Sequence, residues 1–279
     1  MRVAVTAASG QLGSHIVQAL GEFLDADQIV GLARSPDKAS SLGVEVRPGD
    51  YSAPRELESS LAGVDSLLLV SGMAPPDERI DQHRNVISAA VAAGVKKIVY
   101  TSIQGSEERT AFSPIVLSNR QTEKDVHASG LDWSIGRNGI YIEPDVDYID
   151  TYRSAGKIAN CAGDGRCGYT TRGELGYAYA RMLTDSLHDG QTFNLHGEAI
   201  TQQQLAEHLN RAVGTTLQFQ DMCVDEYRAE RQAELGEFLG TIIAGIYEGI
   251  RNGAVDNPSN FEAAAGRPHI DWADYFAAL

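Results

Sequence analysis

Apolar positions in the first half of the chain alternate between two rhythms. Short aliphatic and β-branched runs predict strands over 2–6, 28–33, 44–47, 65–70, 97–101 and 131–137. Between them, apolar residues recur every three or four positions. This spacing predicts helices over 12–23, where Leu12, Ile16, Leu20 and Phe23 share a face, and over 79–93 and 117–128. A shorter helix is expected from Ser52, as its cap, to Gly63, with Pro54 in its first turn. Parallel neighbours need crossover connections, so strict strand–helix alternation implies an α/β fold, a doubly wound parallel sheet with helices on both faces.

After about Gly139 the rhythm breaks. Strands are expected over 192–195 and 217–220, and helices over 225–235, 238–251 and 259–265. Thr201 and Gln204 match a capping box. Phe238, Ile242, Ile246 and Ile250 recur at helical spacing and read as a packing stripe. The division expected is a first domain over 1–139 and a smaller mixed lobe over 140–279, parts of which return to the main sheet.

Composition narrows the function. Lys and Arg total 23 against 38 Asp and Glu, a formal charge of −15. Such a surface repels nucleic acid and anionic lipid, although a local pocket can still be basic. No apolar run approaches the length of a membrane span, and the start runs directly into a strand pattern, so no leader is expected. Cys161, Cys167 and Cys223 lack metal-type spacing and read as reduced thiols of a cytoplasmic protein with no metal site.

The turn after the first strand reads Thr6-Ala7-Ala8-Ser9-Gly10-Gln11-Leu12-Gly13. A tight glycine-containing turn lets the backbone approach a pyrophosphate, and the following helix offers free amides and the positive end of its dipole. Set between a strand and a helix of an alternating α/β chain, it reads as the phosphate loop of a Rossmann-type dinucleotide site. The end of the second strand carries no acidic residue but Arg34, with Lys38 one turn later. Arg34 can fork a 2′-phosphate and Lys38 can add a point charge, which selects NADPH.

Further stretches carry a family resemblance: Arg34–Ala39, Val46–Tyr51, Gln82–Ser102, Thr122-Glu123-Lys124, Arg137–Tyr141, Ala162–Gly165 and Thr171-Arg172. With the phosphate loop, they resemble the atypical short-chain dehydrogenase/reductase branch that holds NmrA-like proteins, bacterial NADPH quinone oxidoreductases of type 2 and triphenylmethane-dye reductases. The resemblance implies Asp50 and Tyr51 beside the adenine, Ser71 and Gly72 along the cofactor, and Asn138 and Tyr141 near the nicotinamide and substrate. It also implies that Asn119 stands where relatives commonly have His. One departure concerns the loop: the family pattern begins with Gly where this chain has Ala7. A positive φ there would cost about 1–2 kcal/mol, whereas with an ordinary φ the methyl merely fills space.

Classical members of the superfamily protonate product with the Tyr of a Tyr-x-x-x-Lys pair. None of the 11 tyrosines here has Lys four residues on. Ser102 ends the fifth strand, where a catalytic or cofactor-contacting Ser can sit, but its usual partners are missing. A ketone accepting hydride becomes a strongly basic alkoxide and needs a donor. A quinone becomes a phenolate-like anion, with a conjugate acid near the ~10 of Tyr, so water suffices. The expected role is hydride transfer from NADPH to a small aromatic or conjugated acceptor, with Asn138 and Tyr141 positioning it; Tyr141 can equally be core. A non-catalytic NADP-binding redox sensor is the alternative, and an epimerase is disfavoured without the Tyr base. Lys124 reads as surface, His83 and His127 as packing or solvent-facing. Tyr141, Tyr148 and Tyr152 mark a lid, a pocket wall or an aromatic core. A homodimer is among the assemblies the sequence allows.

Overall fold

The computed structural model describes residues 1–279 and holds seven parallel strands in one sheet. They are β1 (Val3–Val5), β2 (Ile29–Ala33), β3 (Glu45–Pro48), β4 (Ser66–Val70), β5 (Lys97–Ile103), β6 (Asp132–Asn138) and β7 (Gln191–Leu195). Their order, β7-β6-β5-β4-β1-β2-β3, reverses direction between β1 and β4. Such a switch point leaves a crevice at the strands' carboxyl ends, where α/β folds bind ligands.

Alternation along each strand feeds two cores. Val3, Val5 and Leu68 face one layer, with Ile16 and Leu20 of α1 (Gln11–Leu20). Ala4, Leu67 and Leu69 face the other, with Leu57 of α2 (Pro54–Ser60) and Val86 of α3 (Pro76–Ala92). The helix α4 (Ser113–His127) adds Val126 to this second layer. Each fully buried Leu contributes roughly 1.5–3 kcal/mol. Both flanks are therefore sealed, as a doubly wound fold requires.

The first layer needs a helix that the sequence pattern did not disclose, α5 (Arg172–Thr184). Its buried residues Leu175, Ala178, Tyr179, Ala180, Met182 and Leu183 surround much of its circumference, so no one-sided stripe marks it. Gly176 lets it close on α1, since an added Cβ there would lie 2.8 Å from the His15 carbonyl oxygen.

Several element ends differ from expectation: α1 stops at Leu20 and α2 at Ser60, short of Phe23 and Gly63, and three helix starts also shift. Proline is accepted in a first turn, so α3 begins at Pro76 and α4 at Ser113, each earlier than the apolar spacing indicates. Ser52 does not cap α2; Ala53 takes that position, while the Ser52 amide donates to Asp50 Oδ1 at 2.8 Å.

The rest of the chain builds a lobe around Ile142, Ile158, Leu209 and Trp272. It contains α6 (Gln202–Val213), α7 (Val224–Leu235) and α8 (Glu237–Arg251). The Thr201/Gln204 capping box forms at the start of α6. The expected strand near 217–220 is Gln218–Asp221, paired with Lys157–Asn160 inside the lobe. On α8 the apolar stripe is split: Ile250 is fully buried, but Phe238 is 59% exposed. That end of the stripe lines a surface groove and does not pack in a core.

Candidate dinucleotide and acceptor site

The phosphate loop is built by close backbone approach. Ala7 adopts φ 48, the left-handed region that disfavours residues with a Cβ. Its carbonyl accepts the Gly10 amide at 2.8 Å, and the Ala8 amide reaches the Leu32 carbonyl at 3.0 Å. Gly13 is dictated by this turn, because an added Cβ would sit 2.3 Å from the Ala7 carbonyl oxygen. Leu12 is buried in the core below, whereas Ser9, Gly10 and Gln11 are exposed. The first turn of α1 has no acidic residue, so its free amides and positive dipole end face solvent uncompensated.

At the end of β2, Arg34 and Lys38 are both exposed and neither forms an ion pair. The helical turn Pro36–Leu42 carries Lys38. Two free cations beside an anion-accepting helix start suit a 2′-phosphorylated dinucleotide.

Thr6 and Tyr51 tie the strands beneath this crevice. The Tyr51 hydroxyl lies 2.6 Å from Thr6 Oγ1 and 2.7 Å from the Val70 carbonyl oxygen, while the Val70 amide donates to Thr6 Oγ1 at 2.9 Å. Burial pushes the Tyr51 phenol well above its ordinary pKa. Both hydroxyls are thus committed within the protein, and Asp50 remains half-buried beside them.

The segment after β4 is held from three sides. Thr101 Oγ1 accepts the Ser71 amide at 2.8 Å, and Asn119 Oδ1 accepts both the Ser71 hydroxyl, at 3.1 Å, and the Tyr100 hydroxyl, at 2.6 Å. The Gly72 amide donates to His83 Nε2 at 2.9 Å, and His83 Nδ1 lies 2.9 Å from Thr122 Oγ1. Since a backbone amide can only donate, Nε2 is the acceptor and Nδ1 carries the proton. Burial, with the nearby Arg79 charge, pushes the His83 pKa down to about 3, so the ring stays neutral at ordinary pH.

Around the ends of β5 and β6 the polar groups pair with one another. The Ser102 hydroxyl, fully buried, donates to Glu123 Oε1 at 2.6 Å. Glu123 also accepts from Arg120 Nη1 at 2.9 Å and Arg137 Nη2 at 2.6 Å. Burial alone would raise the Glu123 pKa, but hydrogen bonds from Arg137 and Ser102 and the charge of Arg120 outweigh it and hold the carboxyl low. The Ser102 hydroxyl therefore has no free proton to donate to a ligand.

Asn138 Oδ1 accepts from the Tyr179 hydroxyl at 2.5 Å, and Asn138 Nδ2 approaches the Tyr141 hydroxyl at 3.4 Å. Arg172 lies over the Tyr141 ring at 5.3 Å. Burial raises the Tyr141 pKa, only partly offset by Asn138 and Arg172, so this phenol is a weaker acid than a free tyrosine.

Other sequence candidates fall outside this constellation. Lys124 and His127 are exposed, and the His127 ring packs at a tilt against Trp133. Tyr148 and Tyr152 line a separate cavity of about 340 Å³ in the lobe, and Tyr152 donates to Asp145 at 2.7 Å. Cys161 and Cys167 are buried and unpaired. Two features were missed: the buried Arg79, and a groove of about 480 Å³ walled by Pro76, Ile115, Phe238 and Ile242. Arg79 falls on the face of α3 that also buries His83, Val86 and Ala90, so a charged residue inside an apolar stripe was the available signal.

A sequence profile described as NAD(P)H-binding matches residues 7–160, from the strained alanine to the end of the lobe strand Lys157–Asn160. The chain belongs to this NAD(P)H-binding family. It is 34% identical to quinone oxidoreductase 2 of Escherichia coli (strain K12), over 99% of this chain and 98% of that protein. The crystal structure of an NADPH-dependent quinone oxidoreductase from Escherichia coli, complexed with NADPH, is similar with a TM-score of 0.91 at 32% identity, covering 99% of each chain. That of Citrobacter sp. triphenylmethane reductase complexed with NADP(H) gives a TM-score of 0.91 at 33% identity, covering all of both chains. The resemblance and fold class read from the sequence are both borne out, and with these reductase relatives the chain is an NAD(P)H-dependent oxidoreductase. No helix is long and apolar enough to cross a membrane.

Proposed function

We propose that this NAD(P)H-binding protein is an NADPH-dependent reductase that delivers hydride directly to a quinone or a similarly conjugated electrophile, without a Tyr-x-x-x-Lys dyad. The observation that carries this reading is how poorly the hydroxyls beside Asn138 are suited to acid catalysis. Tyr141 is weakened as a donor by burial, and the Ser102 proton is committed to Glu123. An acceptor reduced here must leave an anion mild enough for water to protonate, which a quinone does and a simple ketone does not.

The residues present fit the dinucleotide. The exposed turn at Ser9, Gly10 and Gln11 and the uncompensated start of α1 suit the pyrophosphate, and the unpaired Arg34 and Lys38 suit a 2′-phosphate. Asp50 and the Tyr51 ring would flank the adenine, and Ser71 and Gly72 would border the nicotinamide half. When bound, the reduced nicotinamide supplies the hydride. The protein's own part is to fix the Ser71–Gly72 segment through His83 and Asn119, and to hold the acceptor against the ring with Asn138 and Tyr141, at about 3–3.5 Å. The names of the two relatives support the acceptor class. We place the protein in the cytoplasm on its sparse, unpaired thiols, and assign cofactor binding chiefly to 1–139 and acceptor binding to 140–279.

The test is NADPH oxidation followed at 340 nm with a panel of quinones, dyes and simple ketones. Turnover with quinones and none with ketones is the expected result. Tight NADPH binding with no turnover on any acceptor would overturn the reductase reading in favour of an NADP-binding sensor.

A further inference from the structure

Gly136 occupies the interior of β6, paired on one side with β5 and on the other with β7. A glycine inside a central strand gives up side-chain packing and marks a place where another group comes close. Here that group is Tyr179 of α5. A Cβ added to Gly136 would collide with the Tyr179 hydroxyl and would lie 2.6 Å from Leu195 Cδ1. The missing side chain thus admits a phenol to the strand end that carries Asn138. Tyr179 is fully buried, and burial, reinforced by the neighbouring Tyr141, Tyr100 and Glu123, holds its pKa well above the ordinary value, so it stays protonated.

This phenol sets the direction of a chain of hydrogen bonds. Its oxygen lies 2.5 Å from Asn138 Oδ1, a normal O–H···O separation but too short for an N–H donor. The Asn138 carboxamide is therefore held with its oxygen toward Tyr179 and its nitrogen toward the Tyr141 hydroxyl, at 3.4 Å. An amide nitrogen only donates, so the Tyr141 oxygen accepts in this contact and keeps its own proton. The Tyr141 hydroxyl donates to no group of the protein. Its ring is fixed from the same helix: Arg172, two turns before Tyr179 and on the same side of α5, lies over it at 5.3 Å. The Arg172 amide is in turn bound by Glu143 Oε1 at 2.6 Å.

We propose that Tyr179 is a positioning residue for the reaction: by turning Asn138, it leaves the Tyr141 hydroxyl free to donate a hydrogen bond to the carbonyl oxygen of the acceptor. This rests on the reductase reading above. On accepting hydride, two electrons and a proton, from the nicotinamide, a quinone becomes a hydroquinone monoanion and then takes one proton from water, while the nicotinamide is left oxidised. Negative charge grows on the acceptor oxygens, so a hydrogen bond there strengthens as the reaction proceeds. The raised pKa of Tyr141 is compatible with this role, because the phenol shares its proton and does not release it. A triphenylmethane cation takes the same hydride to become a neutral compound and has no carbonyl oxygen to bind.

The experiment compares the wild type with Tyr179→Phe, Tyr141→Phe and the double variant, with NADPH as donor and 1,4-naphthoquinone or the cationic dye crystal violet as acceptor. Each substitution removes a hydroxyl and keeps the ring that fills the space. Tyr179→Phe should lower quinone kcat/KM about three- to tenfold, mostly through kcat, with NADPH affinity and dye reduction unchanged. In the Tyr141→Phe background the Tyr179 substitution should cost nothing further. A role confined to packing α5 would lower quinone and dye reduction together, or would persist in full without the Tyr141 hydroxyl; either result, or no quinone loss in Tyr179→Phe, overturns the proposal. If the wild type reduces neither acceptor, the reductase reading fails by itself, and equilibrium binding of naphthoquinone to the NADP⁺ complex decides on Tyr179. Weaker binding in Tyr179→Phe supports it there; equal affinity in both proteins, or no binding in either, refutes it.

Discussion

His83 Nε2 accepts the Gly72 amide at 2.9 Å, so a buried, neutral imidazole on α3 fixes the backbone that follows β4. Its other nitrogen is anchored on Thr122 of α4, which makes the ring a spacer of defined length between two helices and the site. His83→Ala leaves the Gly72 amide and the Thr122 hydroxyl without this partner. We expect about 1–3 kcal/mol lower stability and a raised KM for NADPH, and better retention in His83→Gln, whose amide oxygen can still accept. Denaturant titrations and steady-state kinetics check both.

The same ring imposes a pH dependence. Its folded pKa of about 3 lies below the ~6.5 of an unfolded histidine, so the unfolded chain binds the proton first as pH falls. The stabilisation is complete above about pH 6.5 and is lost progressively as pH drops toward 3, with a slope of up to ~1.4 kcal/mol per pH unit. Unfolding free energies at pH 7.0, 6.0 and 5.0, where most carboxylates remain ionised, should fall more steeply in the wild type than in His83→Gln. Parallel slopes would contradict this assignment.

Arg34→Ala should weaken NADPH binding about 10- to 100-fold, the worth of a charge-assisted pair, while leaving NADH nearly unchanged. Lys38→Ala should act in the same direction but less. Equal losses for both dinucleotides, measured by fluorescence titration, would remove the 2′-phosphate assignment.

Because Ala7 is held at φ 48, Ala7→Gly should relieve strain and raise stability by up to about 1 kcal/mol, with NADPH affinity equal or better. Gly13→Ala should do the opposite, since its Cβ meets the Ala7 carbonyl at 2.3 Å. Melting temperatures of the two variants give the comparison.

Ser102→Ala should leave kcat within about threefold of wild type, because the Ser102 proton already belongs to Glu123. Glu123→Gln should cost about 1–3 kcal/mol of stability, since it takes the carboxylate from Arg137 and leaves Arg120 paired only with Glu107. A large kcat loss in a well-folded Ser102→Ala protein would restore Ser102 to the chemistry.

Six of the seven sheet strands were legible as parallel units because they alternate with helical patterns, the central ones marked by aliphatic runs such as Leu67-Leu68-Leu69. The seventh was legible as a strand, but its partner β6 lies more than fifty residues away, a long-range pairing that local periodicity does not encode. The phosphate loop and the cationic end of β2 were readable because their chemistry is local in sequence. The Ser102–Glu123–Arg137 cluster and the Arg79–Ser118 contact were not, because each joins elements that only the fold brings together. Helix α5 was hidden for a related reason: buried around much of its circumference, it lacks the polar face by which sequence patterns reveal a helix.

The lateness of β7 and α5 in the chain has a consequence for how the protein is made. β7 closes the outer side of β6, and α5 covers α1, yet both are synthesised after residue 170. Until they emerge from the ribosome, the nascent nucleotide half carries a bare strand edge and an uncovered aliphatic flank, both invitations to misassociation. A fragment ending at residue 139 should therefore be insoluble, and the two halves should appear in refolding as one cooperative unit.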